Sequence, residues 1–191
     1  MPKVTQAHRD ARKQQILEAA RAVFAERGFA QTSTSDIVAR SGLSTGAVYS
    51  YYPSKHDLVL AVCDTAMESV FGDDAHQDLS GLLEKVRAGG PEHARLMAQV
   101  WGEAAVSPEL AGRVRDQLAA QRAKVTDLVC GERAHRGLPD DPDPAGLANA
   151  LLALLTGHSL RLAVGDASGA EAFLRAIRAI VEAPAPGESD G

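Results

Sequence analysis

Residues 33–55 read STSDIVARSGLSTGAVYSYYPSK, and this pattern predicts two short helices joined by a tight turn. Ser33 begins an S-x-x-D capping box, a side-chain pair that opens helices. Gly42 can adopt the left-handed conformation that ends the first helix, and Ser44 can cap the second. The second helix stops before Pro53, because a proline ring clashes with the turn that precedes it. The segment is therefore predicted to be a helix–turn–helix.

The second of these helices has chemically different sides. At about 100° per residue, Val48 and Tyr52 fall on one side, which we expect to face the core. The opposite side carries three small residues, Gly46, Ala47 and Ser50. The flanks carry two phenols, Tyr49 and Tyr51. Small side chains let a helix backbone approach base edges, and a phenol can reach a phosphate, so we interpret this as a recognition helix. The alternative is an ordinary helical hairpin with surface tyrosines.

Helices are also predicted on both sides of this unit. The first spans about residues 10–27, ends at Gly28, and leaves residues 1–9 as a flexible arm or a solvated terminus. After the unit, Ser54 opens a helix that extends to about Phe71 and touches both halves of the chain. We expect this helix to act as a lever, because a tilt of its far end would move the recognition helix beside its near end.

Residues 12–62 carry a dense pattern of small, aromatic and capping residues. Its positions are ILEAA at 16–20, Phe24, GF at 28–29, TS at 32–33, DI at 36–37, GLS at 42–44, Gly46, YSYYPSK at 49–55 and Leu58. This pattern resembles the N-terminal DNA-binding domain of the TetR family of transcriptional regulators. Beyond Val62, the chain resembles that family in helical character and length.

The resemblance implies which residues contact DNA. It places the following side chains against operator phosphates or bases: Ser33, Ser44, Thr45, Tyr49, Tyr51 and Lys55. The predicted DNA-binding set also includes the small face of the recognition helix, Gly46, Ala47 and Ser50. A basic residue is frequent in the family where this chain has Thr45, and a larger polar residue is common near Ser50. We therefore expect few direct base contacts.

Charge is distributed unevenly along the chain. The net charge is −5, yet residues 1–56 hold eight Lys or Arg against four Asp or Glu, a balance of +4. The remainder holds twelve against twenty-one, a balance of −9. A basic N-terminal module can neutralise phosphates while the acidic remainder stays away from the DNA. The alternative is chance variation within a short segment.

Composition and motifs argue against several other classes of protein. With 191 residues, 45% of them hydrophobic, the chain is long enough for one or two globular domains. It has no apolar run of about 18 residues and no signal-peptide core, so we predict a cytoplasmic protein without a membrane partner. Cys63 and Cys130 are too few for a disulfide framework or a zinc site, and we predict reduced thiols, no metal and no cofactor.

The sequence motifs also indicate whether the chain is an enzyme. The sequence holds no Gly-rich phosphate loop, no HExxH and no nucleophile elbow, so we predict that the chain is not an enzyme. The alternative is an enzyme whose catalytic residues meet only in the folded structure.

The rest of the sequence reads as helices separated by loops. These helices are expected near 79–88, 92–106, 108–137 and 145–164, followed by a last one that Ser168 opens in an S-x-x-E pattern. Because strand-like alternation is missing, the predicted fold is all-α with about nine helices. We divide it into a helix–turn–helix DNA-binding domain at 1–57, a helical bundle for ligand sensing and dimerisation at 58–183, and a disordered tail at 184–191.

Residues 145–164 differ from the other helices in being apolar nearly all round. Such a helix must be buried nearly all round, and together with the last helix it offers more apolar surface than one domain needs. We therefore predict an isologous homodimer. Its interface residues are Leu147, Leu151, Leu155, Phe173, Ile177 and Ile180. The alternative is a central core helix in a monomer.

The resemblance also implies an effector pocket in the larger domain. Its predicted wall residues are Met67, Phe71, Leu96, Val100, Trp101, Leu118, Val125 and His158. Trp101 is the foremost of these, because an indole offers a large flat wall and one hydrogen-bond donor. The alternative for each is plain core packing, and for His158 also a place in the dimer interface.

The prediction that joins these observations is a TetR-like transcriptional regulator. It is a repressor that binds a palindromic operator in double-stranded DNA as a homodimer and is released by a small-molecule effector. The alternatives are a transcriptional activator, or a non-specific DNA-binding protein of the same fold without an effector.

Overall fold

The computed structural model describes residues 5–71 and 78–183, with side chains described for 5–66 and 78–183. Eight helices lie in these ranges: α1 (Gln6–Arg27), α2 (Thr34–Ser41), α3 (Thr45–Tyr51), α4 (Lys55–Phe71), α5 (Leu79–Ala104), α6 (Pro108–His135), α7 (Pro144–Ala163) and α8 (Ala170–Glu182). No strand occurs among these residues, and the prediction of an all-α fold is confirmed. The predicted disordered tail lies outside the described residues.

Helix α5 accounts for the difference between nine predicted helices and eight observed in the described ranges. Its backbone leaves the helical conformation at Gly90, where φ is 62° and ψ is −174°, and Pro91 follows directly. Glycine tolerates a positive φ, and proline lacks the N–H that a continuing helix needs. The helix is therefore interrupted at Gly90, and α5 consists of two helical segments that meet at a kink. These two segments correspond to the helices predicted near 79–88 and 92–106.

Two clusters of buried side chains hold the helices together. The first joins α1, α2 and α3 to α4 and to parts of α5 and α6, through residues such as Phe24, Ile37 and Val48 on one side and Leu96 and Leu110 on the other. The second joins the beginning of α5 to α6, α7 and α8. Burying one such Leu or Phe side chain contributes on the order of 1.5–3 kcal/mol. Packed side chains therefore continue across the proposed domain boundary at residue 57.

The observed starts of two helices correct the sequence prediction. Helix α1 begins at Gln6, because the Thr5 hydroxyl accepts a hydrogen bond from the His8 N–H at 3.4 Å and so caps the first turn. Residues 6–9, predicted to belong to an arm, form that turn. Helix α8 is not opened by Ser168, whose hydroxyl donates to the Asp166 carboxylate instead. Its N-cap is Gly169, in a left-handed conformation and without a side-chain cap.

Arg133 is a buried charged side chain that the sequence prediction missed. It is 1% exposed, and its guanidinium donates to the carbonyl oxygens of Val181 at 3.0 Å and Ala183 at 2.7 Å. The same group donates to the Pro139 carbonyl at 3.0 and 2.8 Å. Carbonyls in the last turn of a helix have no partner within that helix. Arg133 therefore ties the end of α8 to the loop between α6 and α7.

Three side chains predicted for the dimer interface are instead buried in the protomer. Leu151 and Ile177 are 2% and 1% exposed and belong to the second core cluster, and Leu155 is 8% exposed. They face their own bundle, because α7 and α8 pack their strongest apolar stripes inward against α5 and α6. These three residues therefore belong to the protomer's core and not to a surface that is open to a partner.

The other three predicted interface residues remain accessible. Leu147 and Phe173 are half-buried, and Ile180 is 40% exposed. The outer side of α7 adds Leu154 and Leu160, which are 42% and 43% exposed. Large exposed apolar side chains on two neighbouring helices are typical of a surface that a partner covers.

Candidate nucleic-acid interface and inner cavity

Helix α3 lies at the surface and is anchored by its apolar side. Val48 is fully buried in the first core cluster, beside the half-buried Tyr52. The Ser44 hydroxyl caps the first turn by accepting from the Ala47 N–H at 3.2 Å, and the Tyr52 N–H donates to the Val48 carbonyl at 3.0 Å. A helix of seven residues is not stable alone, so these contacts hold it in place.

The predicted DNA-binding residues differ in exposure. The exposed ones are Ser33, Ser44, Thr45, Gly46, Tyr49 and Ser50, and the half-buried ones are Ala47, Tyr51 and Lys55. Tyr49 is 42% exposed, whereas the Tyr51 ring also packs against the first core cluster. The Ser50 hydroxyl donates to the Ala47 carbonyl at 2.7 Å, within its own helix. The outer side of α3 therefore carries small side chains, and the exposed phenol of Tyr49 lies beside it.

Polar contacts fix α2 in its position. The Ser33 N–H donates to Asp36 Oδ2 at 2.8 Å while the Asp36 N–H donates to Ser33 Oγ at 3.2 Å, which confirms the predicted capping box. Hydrogen bonds from Ser33, aided by the Arg27 guanidinium 2.8 Å away, lower the pKa of Asp36. At the other end of α2, the Gln15 amide donates to the Ser41 carbonyl at 2.8 Å. Both ends of α2 are thus tied to α1.

Lys55 lies at the first turn of α4, beside the loop that joins α1 and α2. Its ammonium donates to the Ala30 carbonyl at 3.4 Å. The Ser54 hydroxyl caps the same turn by accepting from the Asp57 N–H at 3.1 Å. An ammonium at a helix N-terminus adds to the attraction of the free backbone N–H groups for an anion. Lys55 therefore stands where it can hold a phosphate at the edge of the helix–turn–helix.

Gln99 is a contact between the two parts of the molecule that the sequence prediction missed. From α5, its amide donates to the Phe24 carbonyl at 2.9 Å and accepts from the Phe29 N–H at 2.8 Å. These two groups flank Gly28, where α1 ends with φ 84°. The partners lie 75 and 70 residues away in sequence, so no local pattern could have revealed this pair of bonds. One side chain thus holds the end of α1 against α5.

A cavity of about 100 Å³ lies between α4, α5, α6 and α7. Its apolar walls are Ala66, Val86, Ala94, Met97, Trp101, Val114, Leu118, Leu152, Leu155 and Leu162, and the bend of α5 adds Gly89 and Gly90. Its polar groups are His93, Gln117, Gln121, Thr156, His158 and Ser159. The cavity therefore combines a mainly apolar wall with several hydrogen-bonding groups.

The predicted pocket residues fall into three groups. Trp101, Leu118 and His158 line the cavity. Leu96, Val100 and Val125 are instead buried in the core clusters, because they point away from the cavity on α5 and α6. The side chains of Met67 and Phe71 lie outside the described residues. The polar residues His93, Gln117 and Gln121 were missed, since polar positions between apolar ones read as solvent-facing in a sequence.

The two histidines of the cavity differ in their surroundings. His158 stacks on Phe173 with ring centres 4.2 Å apart and an angle of 10° between the planes. Burial lowers the pKa of His158, and Arg161 adds to this while Asp166 opposes it. Burial also lowers the pKa of His93, with a smaller contribution from Arg21. Both imidazoles are therefore held in the neutral form near neutral pH.

The two cysteines do not meet. Cys63 is buried, and burial raises the pKa of its thiol to about 12. Cys130 is exposed on α6. A thiol with so high a pKa is not a reactive nucleophile, since the thiolate is the reacting form.

Comparison with known families identifies the architecture. Residues 16–62 match the family profile described as bacterial regulatory proteins, tetR family. Residues 76–185, more than half of the chain, match the profile described as BetI-type transcriptional repressor, C-terminal. The chain belongs to the TetR family.

Individual relatives agree with this TetR-family membership. The chain is 26% identical over 169 residues to the HTH-type transcriptional repressor Rv1474c of Mycobacterium tuberculosis, covering 87% of this chain and 90% of that protein. It is 42% identical over 67 residues to the HTH-type transcriptional regulator YfiR of Bacillus subtilis, covering 35% of this chain and 33% of YfiR. A transcriptional regulator from Saccharomonospora viridis, solved in complex with choline, shares the fold with a TM-score of 0.72 and 22% identity, covering 91% of this chain and 96% of that one.

TetR-family membership settles the class of the protein. It is a helix–turn–helix transcriptional regulator, and the prediction that it is not an enzyme is confirmed by its relatives. Among the described residues, no group of three or more His, Cys, Asp or Glu side chains is placed to hold a metal ion. None of the described helices has the length and hydropathy needed to cross a membrane.

Proposed function

We propose that this regulator is a repressor that binds a pseudo-palindromic operator as a homodimer and leaves it when a small molecule fills the cavity. The main support for this proposal is the outer side of α3, which is exposed and carries small side chains. The buried Val48 anchors the opposite side of this helix in the core. A helix with this outline suits the major groove, where a flanking phenol can reach the phosphate backbone.

Homodimerisation is supported by the outer sides of α7 and α8. Leu154, Leu160 and Ile180 are each at least 40% exposed, next to the half-buried Leu147 and Phe173. In an isologous dimer these surfaces face their own copies. Two copies of α3 would then read half-sites about 34–36 Å apart, or a multiple of that distance.

Repression is supported by the names of the matching profile and of one relative. The profile that matches residues 76–185 is described as that of a repressor, and Rv1474c is named a repressor. Activation is the competing outcome, and only the effect on transcription separates the two. The predicted domain division, the predicted DNA-binding residues and the cytoplasmic location are part of this proposal.

Release by an effector is supported by the position of the cavity. Its walls belong to α4, which begins at Lys55, and to α5, which holds α1 through Gln99. A ligand that moves either helix therefore changes the position of the helix–turn–helix. A coupling of about 1–3 kcal/mol is enough to change DNA affinity 5–150-fold. Choline in the Saccharomonospora viridis regulator shows that a small molecule binds that protein of the same fold, which supports an effector of similar size here.

The proposal is tested with the purified full chain and the DNA that flanks its own gene. We expect a mobility shift that unrelated DNA does not compete away, and a molar mass of two chains by light scattering. A promoter fused to a reporter should become more active when the gene is deleted. Lower reporter activity after deletion would identify an activator, and a shift that any DNA competes away would identify a non-specific binder.

A further inference from the structure

We infer that the cavity takes an uncharged molecule with an apolar body and a hydrogen-bonding end, and that it discriminates against a quaternary ammonium ion such as choline. This inference deepens the proposed effector role of the cavity and depends on it. The cavity lies between α4, α5, α6 and α7, and its hydrogen-bonding groups are two imidazoles, two carboxamides and two hydroxyls.

The charge of a bound molecule must match the groups around it. An ion moved from water into an apolar cavity loses its hydration, and only an opposite charge or several aromatic faces compensate. Among the described residues that line the cavity, none is Asp, Glu, Lys or Arg. Trp101 is the one Trp, Tyr or Phe among the described wall residues, whereas a quaternary ammonium is held by several such rings. A neutral molecule loses far less hydration free energy than an ion when it enters the cavity.

The hydrogen-bonding groups suit a neutral molecule that both donates and accepts. His158 lies in the wall as a neutral imidazole, and a neutral imidazole has one N–H donor and one acceptor nitrogen. The Thr156 hydroxyl donates to the Leu152 carbonyl at 2.8 Å, so its oxygen is left to accept from a ligand. The carboxamide of Gln117 can both donate and accept a hydrogen bond. An alcohol, amide or phenol matches these groups.

The size of the cavity limits the molecule to a compact one. Its volume is about 100 Å³. An engineered apolar cavity of roughly 150 Å³ takes up benzene, so a molecule of about six or seven non-hydrogen atoms is the size expected here. The apolar walls formed by Met97, Leu118 and Leu162 receive its hydrocarbon part.

The test compares three probes of one shape and different charge. Choline is the cation, 3,3-dimethylbutan-1-ol replaces its nitrogen by carbon and is neutral, and 3,3-dimethylbutanoate is the anion. The chain contains one tryptophan, Trp101, and it lines the cavity, so intrinsic fluorescence reports binding without a label. In titrations of the full chain without DNA, we expect the alcohol to bind at least tenfold more tightly than either ion. Equal affinities, tighter binding of choline, or no response to the alcohol would overturn the inference.

A charged variant provides a second test of the preference for the neutral probe. Gln117 is half-buried, so Gln117→Glu brings a carboxylate to the wall at a position that tolerates polarity. We expect this variant to gain at least tenfold in affinity for choline and not for the alcohol. An unchanged preference in a variant that melts like the wild type would contradict the charge argument.

A mobility-shift assay with each probe distinguishes a wrong ligand class from a wrong effector role. If the alcohol binds with the expected preference but leaves the mobility shift unchanged, the ligand class stands and the effector role fails. If choline binds more tightly and abolishes the shift, the effector role stands and the inference fails.

Discussion

The α1–α3 unit and the bundle of α5–α8 are stabilised in different ways. In the unit, backbone groups at the ends of helices are paired with side chains, as Ser33 with Asp36 and Gln15 with Ser41. The bundle packs apolar side chains around a cavity of about 100 Å³. Atoms that line a cavity lack some of the contacts that a filled core would give them. The unit is therefore expected to move as one body, and the bundle is the part whose packing a small molecule can change.

The largest effect is expected where the bundle depends on a single polar side chain. Arg133→Met leaves the carbonyls of Pro139, Val181 and Ala183 without their donor. A buried carbonyl left unpaired costs roughly 1–3 kcal/mol, and only the Val181 contact is fully buried, so the free energy of unfolding should fall by about 2–3 kcal/mol. Urea denaturation followed by circular dichroism measures this loss.

The matched control is Arg175→Met, at an exposed position of α8. We expect it to change the free energy of unfolding by about 0.5 kcal/mol or less. Similar losses in the two variants would show that Arg133 does not anchor the bundle.

A smaller effect is expected where the two regions meet. Gln99→Met keeps most of the side-chain volume but removes the hydrogen bonds to Phe24 and Phe29. At about 0.5–1.5 kcal/mol for each bond, the free energy of unfolding should fall by about 1–2 kcal/mol. Hydrogen exchange should rise mainly at the end of α1 and in the loop that follows it. Gln14→Met, whose amide donates only to the exposed Glu18, is the control and should leave exchange there unchanged. Equal exchange in the two variants would mean that Gln99 does not join the regions.

Direct contacts with DNA are expected from α3 and from the start of α4, and not from the bundle. Lys55→Ala is expected to weaken operator binding by about tenfold and to lower the slope of log affinity against log salt by about one per subunit, since one phosphate contact is lost. Tyr52→Phe, which removes a hydroxyl from a half-buried ring, is the control and should keep the wild-type slope. A wild-type slope for Lys55→Ala would remove that lysine from the phosphate contacts.

The smallest effect is the pH dependence of the free energy of unfolding, which arises from His93 in the bundle. Burial lowers the pKa of His93 in the folded protein, so below about pH 6.5 the unfolded chain binds a proton that the folded one resists. The contribution of His93 to the free energy of unfolding is therefore fully present above that pH and decreases as the pH falls. In urea denaturation at pH 7.5 and 5.5, His93→Gln should lose less stability than the wild type. Gln117→Leu, also in the cavity wall, should lose as much as the wild type, and the same loss in all three proteins would contradict the role of His93.

The sequence predicted well what depends on neighbours in the chain. The capping box at Ser33, the cap at Ser44 and the break at Gly90 were read correctly, because each is a local pairing or a local restriction on φ. The inward direction of Leu151 and Ile177 was missed, because a helix that is apolar on several sides does not show which side meets its own core. Contacts between distant residues, such as those of Gln99 and Arg133, leave no local pattern at all.

In the proposed function, the outer side of α3 enters duplex DNA. Ser50 is exposed there, and Ser50→Glu places a carboxylate against the phosphates and base edges. Like charges brought together in an interface cost several kcal/mol, so operator affinity measured by fluorescence anisotropy should fall about a hundredfold or more. Ser80→Glu, an exposed serine on α5, should leave affinity within about twofold of the wild type. If Ser50→Glu, folded as the wild type is, binds the operator with unchanged affinity, α3 does not enter the DNA and the claim is contradicted.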